Sequence, residues 1–158
     1  METCSVGKSK SYEPRHGFMK GKTRILIVED ETPLACWMMS VLMHAGCDVE
    51  TARTGRRAMD LASENRFDLI TLDIKLPDSN GFEICRQLKQ RHISRRTPVI
   101  FISASSREED MAEAKKGGAV DYITKPFDVT DFIYKVIYHA KAMSKTFSDT
   151  EATTGHAS

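Results

Sequence analysis

Five short runs rich in β-branched residues recur along the chain, and each gives way to a stretch with helical spacing. The runs are RILIV (24–28), CDVETA (47–52), FDLITLD (67–73), TPVIFIS (97–103) and AVDYIT (119–124). Five strands alternating with five helices imply an α/β fold, with a parallel sheet covered by helices on both faces. Within that sheet LIV and VIFIS are nearly all apolar, as strands buried on both sides must be. The run holding Asp48 and Glu50 is more polar and is expected at an edge. No period of 20 to 50 residues recurs, which excludes repeat architectures.

Helix boundaries follow from capping chemistry. The first helix is predicted over 33–45, with Thr32 as N-cap, Pro33 at its first position and Gly46 beyond its end. Its core stripe is Leu34, Trp37, Met38, Val41 and Leu42, and Cys36, Met39 and Met43 make a second face apolar. The second helix follows Thr54 to about Asn65 and turns Ala58, Leu61 and Ala62 inward. The third, from Gly81, buries Ile84, Cys85 and Leu88. A capping box, Ser106 to Glu109, is expected to open the fourth, which ends at Gly117 and Gly118. The fifth follows Asp128, with Val129, Phe132, Ile133, Val136, Ile137 and Ala140 at helical spacing.

A chain of 158 residues that is 41% hydrophobic supports one domain with a sizeable core. Residues 1–22 are polar and basic and read as a disordered arm, in which Met19 is an alternative start. Residues 23–143 form the domain, and 144–158 read as a disordered tail. The formal net charge of +1 gives no bulk attraction to nucleic acid or anionic lipid. The longest apolar run, PLACWMMSVLMHA, is too short to span a bilayer, and the first residues lack the apolar core of a secretory signal. A cytoplasmic location is therefore expected. None of the four cysteines forms a C-x-x-C pair, so reduced, structural thiols are expected.

Chemistry collects beyond the carboxyl ends of the strands in such sheets. Strand one ends at Glu29 and Asp30, strand three at Asp73, strand four at Ser103, and strand five at Thr124-Lys125-Pro126. Acids, a hydroxyl and a lysine thus converge on one rim. Crowded carboxylates are tolerable with a hard divalent cation among them, and Mg²⁺ needs only one or two carboxylates because it keeps several waters. Lys125 adds positive charge, and without metal at least one carboxyl pKa is expected to rise through like-charge repulsion. Open metal positions and the lysine could then hold a phosphoryl group.

The set VEDE (28–31), LDIKLPDSNGFE (72–83), FISAS (101–105) and GAVDYITKPF (118–127) resembles the receiver domain of two-component response regulators, over about 24–143. That resemblance implies a flavodoxin-like, doubly wound five-stranded sheet of order 2-1-3-4-5 with five helices. It implies that Asp73 is the phosphoacceptor, accepting phosphoryl from a sensor histidine kinase or a histidine phosphotransfer protein. Asp30 and Asp73 would bind Mg²⁺ directly, Glu29 through water, and Lys75 through its backbone carbonyl. Lys125 would pair with phosphoryl oxygens, Ser103 would hydrogen-bond to them, and Tyr122 would move inward as the switch. Lys75 and Ser105 would flank the route of hydrolytic water, and Ser103 stands where threonine is commoner.

The resemblance also implies that the kinase side docks near helix one. The face of helices four and five, which carries Tyr134 and Tyr138, would serve dimers or a downstream protein target. Nothing after about residue 143 is long enough for an output domain, so signalling by protein contact or phosphorelay is expected, with no metabolic enzyme activity. A phosphohydrolase of the haloacid dehalogenase type would need Asp-x-Asp after strand one, where this chain has Asp30-Glu31-Thr32. A flavodoxin-like cofactor binder would need a glycine- and hydroxyl-rich phosphate loop there, and three acids would repel such a phosphate. A degenerate receiver acting purely as a binding module would not need the intact acids and lysine.

Overall fold

The computed structural model describes residues 21–151, with side chains through Met143. Most of the arm and the last residues of the tail therefore lie outside the described residues. Ten elements alternate: β1 (Arg24–Val28), α1 (Thr32–His44), β2 (Asp48–Ala52), α2 (Gly55–Glu64), β3 (Leu69–Leu72), α3 (Gly81–Gln90), β4 (Val99–Ser103), α4 (Glu108–Lys116), β5 (Asp121–Thr124) and α5 (Val129–Glu151). All strand pairs are parallel, in the order β2-β1-β3-β4-β5. The polar run at 47–52 is an edge strand, as its composition predicts.

Period-two alternation divides the core between the two faces of the sheet. Leu26, Val28, Ile70, Leu72, Val99 and Phe101 pack against α2, α3 and Ala114 of α4. Ile25, Ile27, Leu69, Ile100, Ile102 and Ile123 pack against Met38 and Leu42 of α1 and Phe132, Val136 and Ala140 of α5. The large apolar side chains among these are almost wholly buried, each worth about 1.5–3 kcal/mol of transfer free energy. β1, β3 and β4 are buried on both faces, so their carboxyl ends are held rigidly where the functional groups emerge.

Several local expectations are corrected. Thr32 is the first residue of α1 rather than its cap; Glu31 takes the cap position and makes no side-chain capping bond. The Glu31 N–H is held by Glu29 Oε1 at 3.2 Å, which turns the chain into the helix one residue early. The buried stripe of α1 is Ala35, Met38 and Leu42. Trp37, expected inside, is 41% exposed and lies at the margin against Phe127 and Phe132, with ring centroids 5.8 and 6.3 Å away. The capping box at Ser106 does not form either, and α4 begins two residues after that serine, with Arg107 at its cap. α5 continues past Met143 to Glu151, since nothing between those residues breaks a helix; Gly155 is the first glycine in the tail.

Other expectations stand. Thr54 caps α2, with Arg57 donating to its hydroxyl at 3.1 Å, and Ala58, Leu61 and Ala62 face inward. Ile84, Cys85 and Leu88 are buried on α3. Cys47 and Cys85 are free and buried. Cys36, half-buried and outside the core stripe, is disulfide-bonded and departs from the expectation of reduced thiols. Among the described residues no helix is long and apolar enough to cross a membrane.

Candidate functional site

Parallel register carries β1, β3, β4 and β5 to a common rim. Val28 lies beside Leu72 and Ser103 beside Thr124, so the next residues of neighbouring strands emerge together. The Asp73 N–H still donates to the Val28 carbonyl at 3.2 Å, and the Lys125 N–H to the Ser103 carbonyl at 2.8 Å. Sheet hydrogen bonds therefore aim the backbones of Asp73 and Lys125 before any side chain contributes. The Lys125–Pro126 peptide bond that follows is cis.

The crowded acids are balanced by Lys125. Its Nζ donates to Glu29 Oε2 and to Asp73 Oδ2, both at 2.9 Å. Glu29 is 1% exposed and Asp73 7%, so these are nearly buried ion pairs. A buried charge without a partner costs several kcal/mol, and one ammonium between two carboxylates offsets that cost for both. The second oxygen of Asp73 receives the Lys75 N–H at 3.4 Å, and that of Glu29 receives the Glu31 N–H.

Burial raises the Glu29 carboxyl above its usual range; Lys125 opposes this, and the nearby charge of Asp73 adds to it only modestly. A raised carboxyl pKa was expected from repulsion, so the direction holds while desolvation is the larger cause. Burial also pulls on Lys125, but its hydrogen bonds to the two carboxylates outweigh that and hold its pKa above the usual lysine range.

Glu29, Asp30 and Asp73 each present a carboxylate oxygen within 4.8 Å of the others. An all-oxygen, all-anionic donor set suits a hard divalent ion and disfavours softer metals, so these residues fit Mg²⁺. Asp30 is the more exposed member, and with Asp73 it lines a cleft of about 400 Å³. That cleft is also lined by Lys75, Ser103, Ser105, Asp110 and Lys125. Its volume suits a small anionic group above the carboxylates.

Ser103 is 4% exposed, and its hydroxyl accepts the Ser105 N–H at 3.2 Å. Tyr122 is half-buried, stacked on Phe101 at 6.3 Å, with its hydroxyl donating to the Ser105 carbonyl at 2.7 Å. Glu29, Asp30, Asp73, Lys75, Ser103 and Lys125 thus meet at one rim, and Tyr122 reaches it through the β4–α4 loop.

Three contributors have no part in the chemistry read from the sequence, where Gly81 only shapes the loop before the third helix. Gly81 packs so closely on β3 that a methyl there would overlap the Asp73 carbonyl, and its N–H donates to the Ile74 carbonyl at 2.7 Å. Asp78 accepts the N–H groups of Gly55 and Arg56 at 2.8 and 3.0 Å, tying the β3–α3 loop to the start of α2. Those bonds hold the Asp78 carboxyl below its usual range. Asp110 bonds to Ser105. The spacing LPDSNG marks a turn, a usable signal for Gly81; the contacts of Asp78 and Asp110 depend on the fold and leave no local signature.

A family profile described as the response regulator receiver domain matches residues 25–137. The response regulator ArlR of Staphylococcus saprophyticus is 42% identical over 114 residues, covering 72% of this chain and 50% of that protein. The chain spans about half the length of the curated relatives it matches. A CheY-like receiver domain protein from Methanospirillum hungatei superposes with a TM-score of 0.74 at 28% identity, over 80% of this chain and 99% of the other. A putative response regulator from Chloroflexus aurantiacus gives 0.73 at 26% identity, over 77% and 99%.

Proposed function

The chain belongs to the response regulator receiver domain family, and on that footing we propose that it accepts a phosphoryl group on Asp73 and transmits the change as a signal. The donor is a phosphohistidine on a sensor histidine kinase or a histidine phosphotransfer protein. The observation that carries this reading is the Lys125 ammonium, held at 2.9 Å from both Glu29 and Asp73 over a cleft shared with Ser103.

An Asp73 carboxylate oxygen attacks phosphorus, the new O–P bond forms as the P–N bond to imidazole breaks, and the imidazole leaves with the electron pair. Charge on the transferring oxygens must be neutralised for this to proceed. Glu29, Asp30, Asp73 and the Lys75 carbonyl would hold Mg²⁺, which supplies part of that neutralisation when bound. Lys125 supplies the rest by turning its ammonium from the Asp73 carboxylate to the phosphoryl oxygens. The Ser103 hydroxyl donates a charge-assisted hydrogen bond to the same group. Its displacement is felt through Ser105 at Tyr122, which joins the reacting end of β4 to β5.

The outer face of α5 carries Tyr134 and Tyr138, 66% and 57% exposed and stacked at 6.0 Å. This face is the proposed output surface, for a downstream protein or a second copy; onward transfer to another histidine protein is the other route for the signal. Incubation with acetyl phosphate and Mg²⁺, followed by intact-mass measurement, tests the reading. Wild type is expected to gain a phosphate-sized adduct that Asp73→Ala lacks. An adduct of equal yield in both proteins would overturn it.

A further inference from the structure

Ser105 is the point where three elements meet. Its N–H donates to the Ser103 hydroxyl at 3.2 Å, and its carbonyl accepts the Tyr122 hydroxyl at 2.7 Å. Its own hydroxyl donates to Asp110 Oδ2 and accepts the Arg107 N–H at 3.3 Å. Asp110 stands in the first turn of α4 and lines the reacting cleft, but it is not among the acids that converge as a cation site.

A loop carbonyl holds a distant tyrosine only if its peptide plane is itself held. Ser105 lies on the short loop between β4 and α4, and the helix-borne Asp110 fixes it by a bond to a charged acceptor, roughly twice as strong as a neutral one. Tyr122 is thereby seated against Phe101. We infer that Asp110 is a positioning residue which, by latching Ser105, keeps Tyr122 seated against Phe101, the arrangement that favours a phosphoryl group on Asp73. This rests on the phosphoacceptor reading above. By linkage, whatever favours the seated state lowers the free energy of binding a phosphoryl group, since less of that binding is spent on rearrangement.

Asp110 has two acidic neighbours, Glu108 and Glu109, which also complement the dipole of α4. The two roles separate by substitution. Asp110→Asn keeps an acceptor oxygen for Ser105 and loses the charge, whereas Asp110→Ala loses both.

Calorimetric titration of the full chain with beryllofluoride in saturating Mg²⁺ tests the latch, with Mg²⁺ alone as the control. Asp110→Ala is expected to weaken beryllofluoride binding about five- to tenfold, the scale of one lost hydrogen bond, while Mg²⁺ affinity is unchanged. Asp110→Asn should stay within about twofold of wild type, and adding Ser105→Ala to Asp110→Ala should cost little more, because the two act as one unit. Unchanged affinity in Asp110→Ala, additive losses in the double variant, or an asparagine variant as weak as alanine would each overturn the latch. A wild-type protein that binds Mg²⁺ but no beryllofluoride would instead overturn the phosphoacceptor reading beneath it.

Discussion

The two sides of the cleft are held by different physics. On the β1–β3 side, Glu29, Asp73 and Lys125 are charged, nearly buried and tied to one another at 2.9 Å. On the β4–β5 side, Ser103, Ser105 and Tyr122 are joined by neutral hydrogen bonds through a partly exposed loop, with Asp110 as the charged anchor. Removing the ammonium leaves both carboxylates desolvated and alone, so the first side tolerates its loss poorly. Removing one neutral hydrogen bond costs about 1 kcal/mol. The first side suits chemistry that needs fixed atoms, and the second suits a relay that must move.

The sharpest way to break this contrast is to remove the cation. Lys125→Met is expected to lower metal-free stability by about 3–5 kcal/mol, read from urea midpoints. A loss no larger than that of a single surface hydrogen bond would erase the distinction between the two sides. Gly81→Ala should come next, at about 1–3 kcal/mol, because the added methyl must displace the Asp73 backbone or its own helix. Its slower phosphorylation by acetyl phosphate would show that the displacement reaches the nucleophile.

The pH dependence of the buried side has a definite sign. Burial raises the folded pKa of Glu29 above the ordinary 4.5. The folded state therefore holds this proton more readily than the unfolded chain, and stability from this group falls as pH rises from 4.5 through the folded value. Metal-free Glu29→Gln should gain on wild type over that window and differ least below it, in urea melts taken across the range. The smallest effect belongs to the relay: Tyr122→Phe should cost under about 1 kcal/mol, because the ring keeps its stacking on Phe101 and only the bond to Ser105 is lost. A cost as large as that of Lys125→Met would mean that both sides are equally rigid.

The same contrast explains what could be read from the chain alone. The parallel sheet, the edge position of β2 and the meeting of Glu29, Asp30, Asp73, Ser103 and Lys125 follow from hydrophobic periodicity and from the rule that strand ends share a rim, and the strand order from the resemblance to receiver domains. Those residues lie directly at strand ends, where topology alone places them. Local signals misled where tertiary contacts compete with them. Thr32 and Ser106 look like caps, but Glu29 turns the chain early at α1, and Ser105 spends its hydroxyl on Asp110 and Arg107 before α4. Trp37 fits a helical stripe by spacing, yet Ala35, Met38 and Leu42 fill the space beneath α1. Lys125 was legible as a phosphoryl partner, whereas its place between Glu29 and Asp73 could come only from coordinates.

The account stands or falls on which atom takes the phosphoryl group. After treatment with acetyl phosphate and Mg²⁺, borohydride reduces an aspartyl phosphate to homoserine, and peptide mass mapping then locates it. Homoserine at position 73 alone, and absent when Mg²⁺ is withheld, is the predicted result. Homoserine at another acid, or none anywhere on a phosphorylated chain, would contradict it.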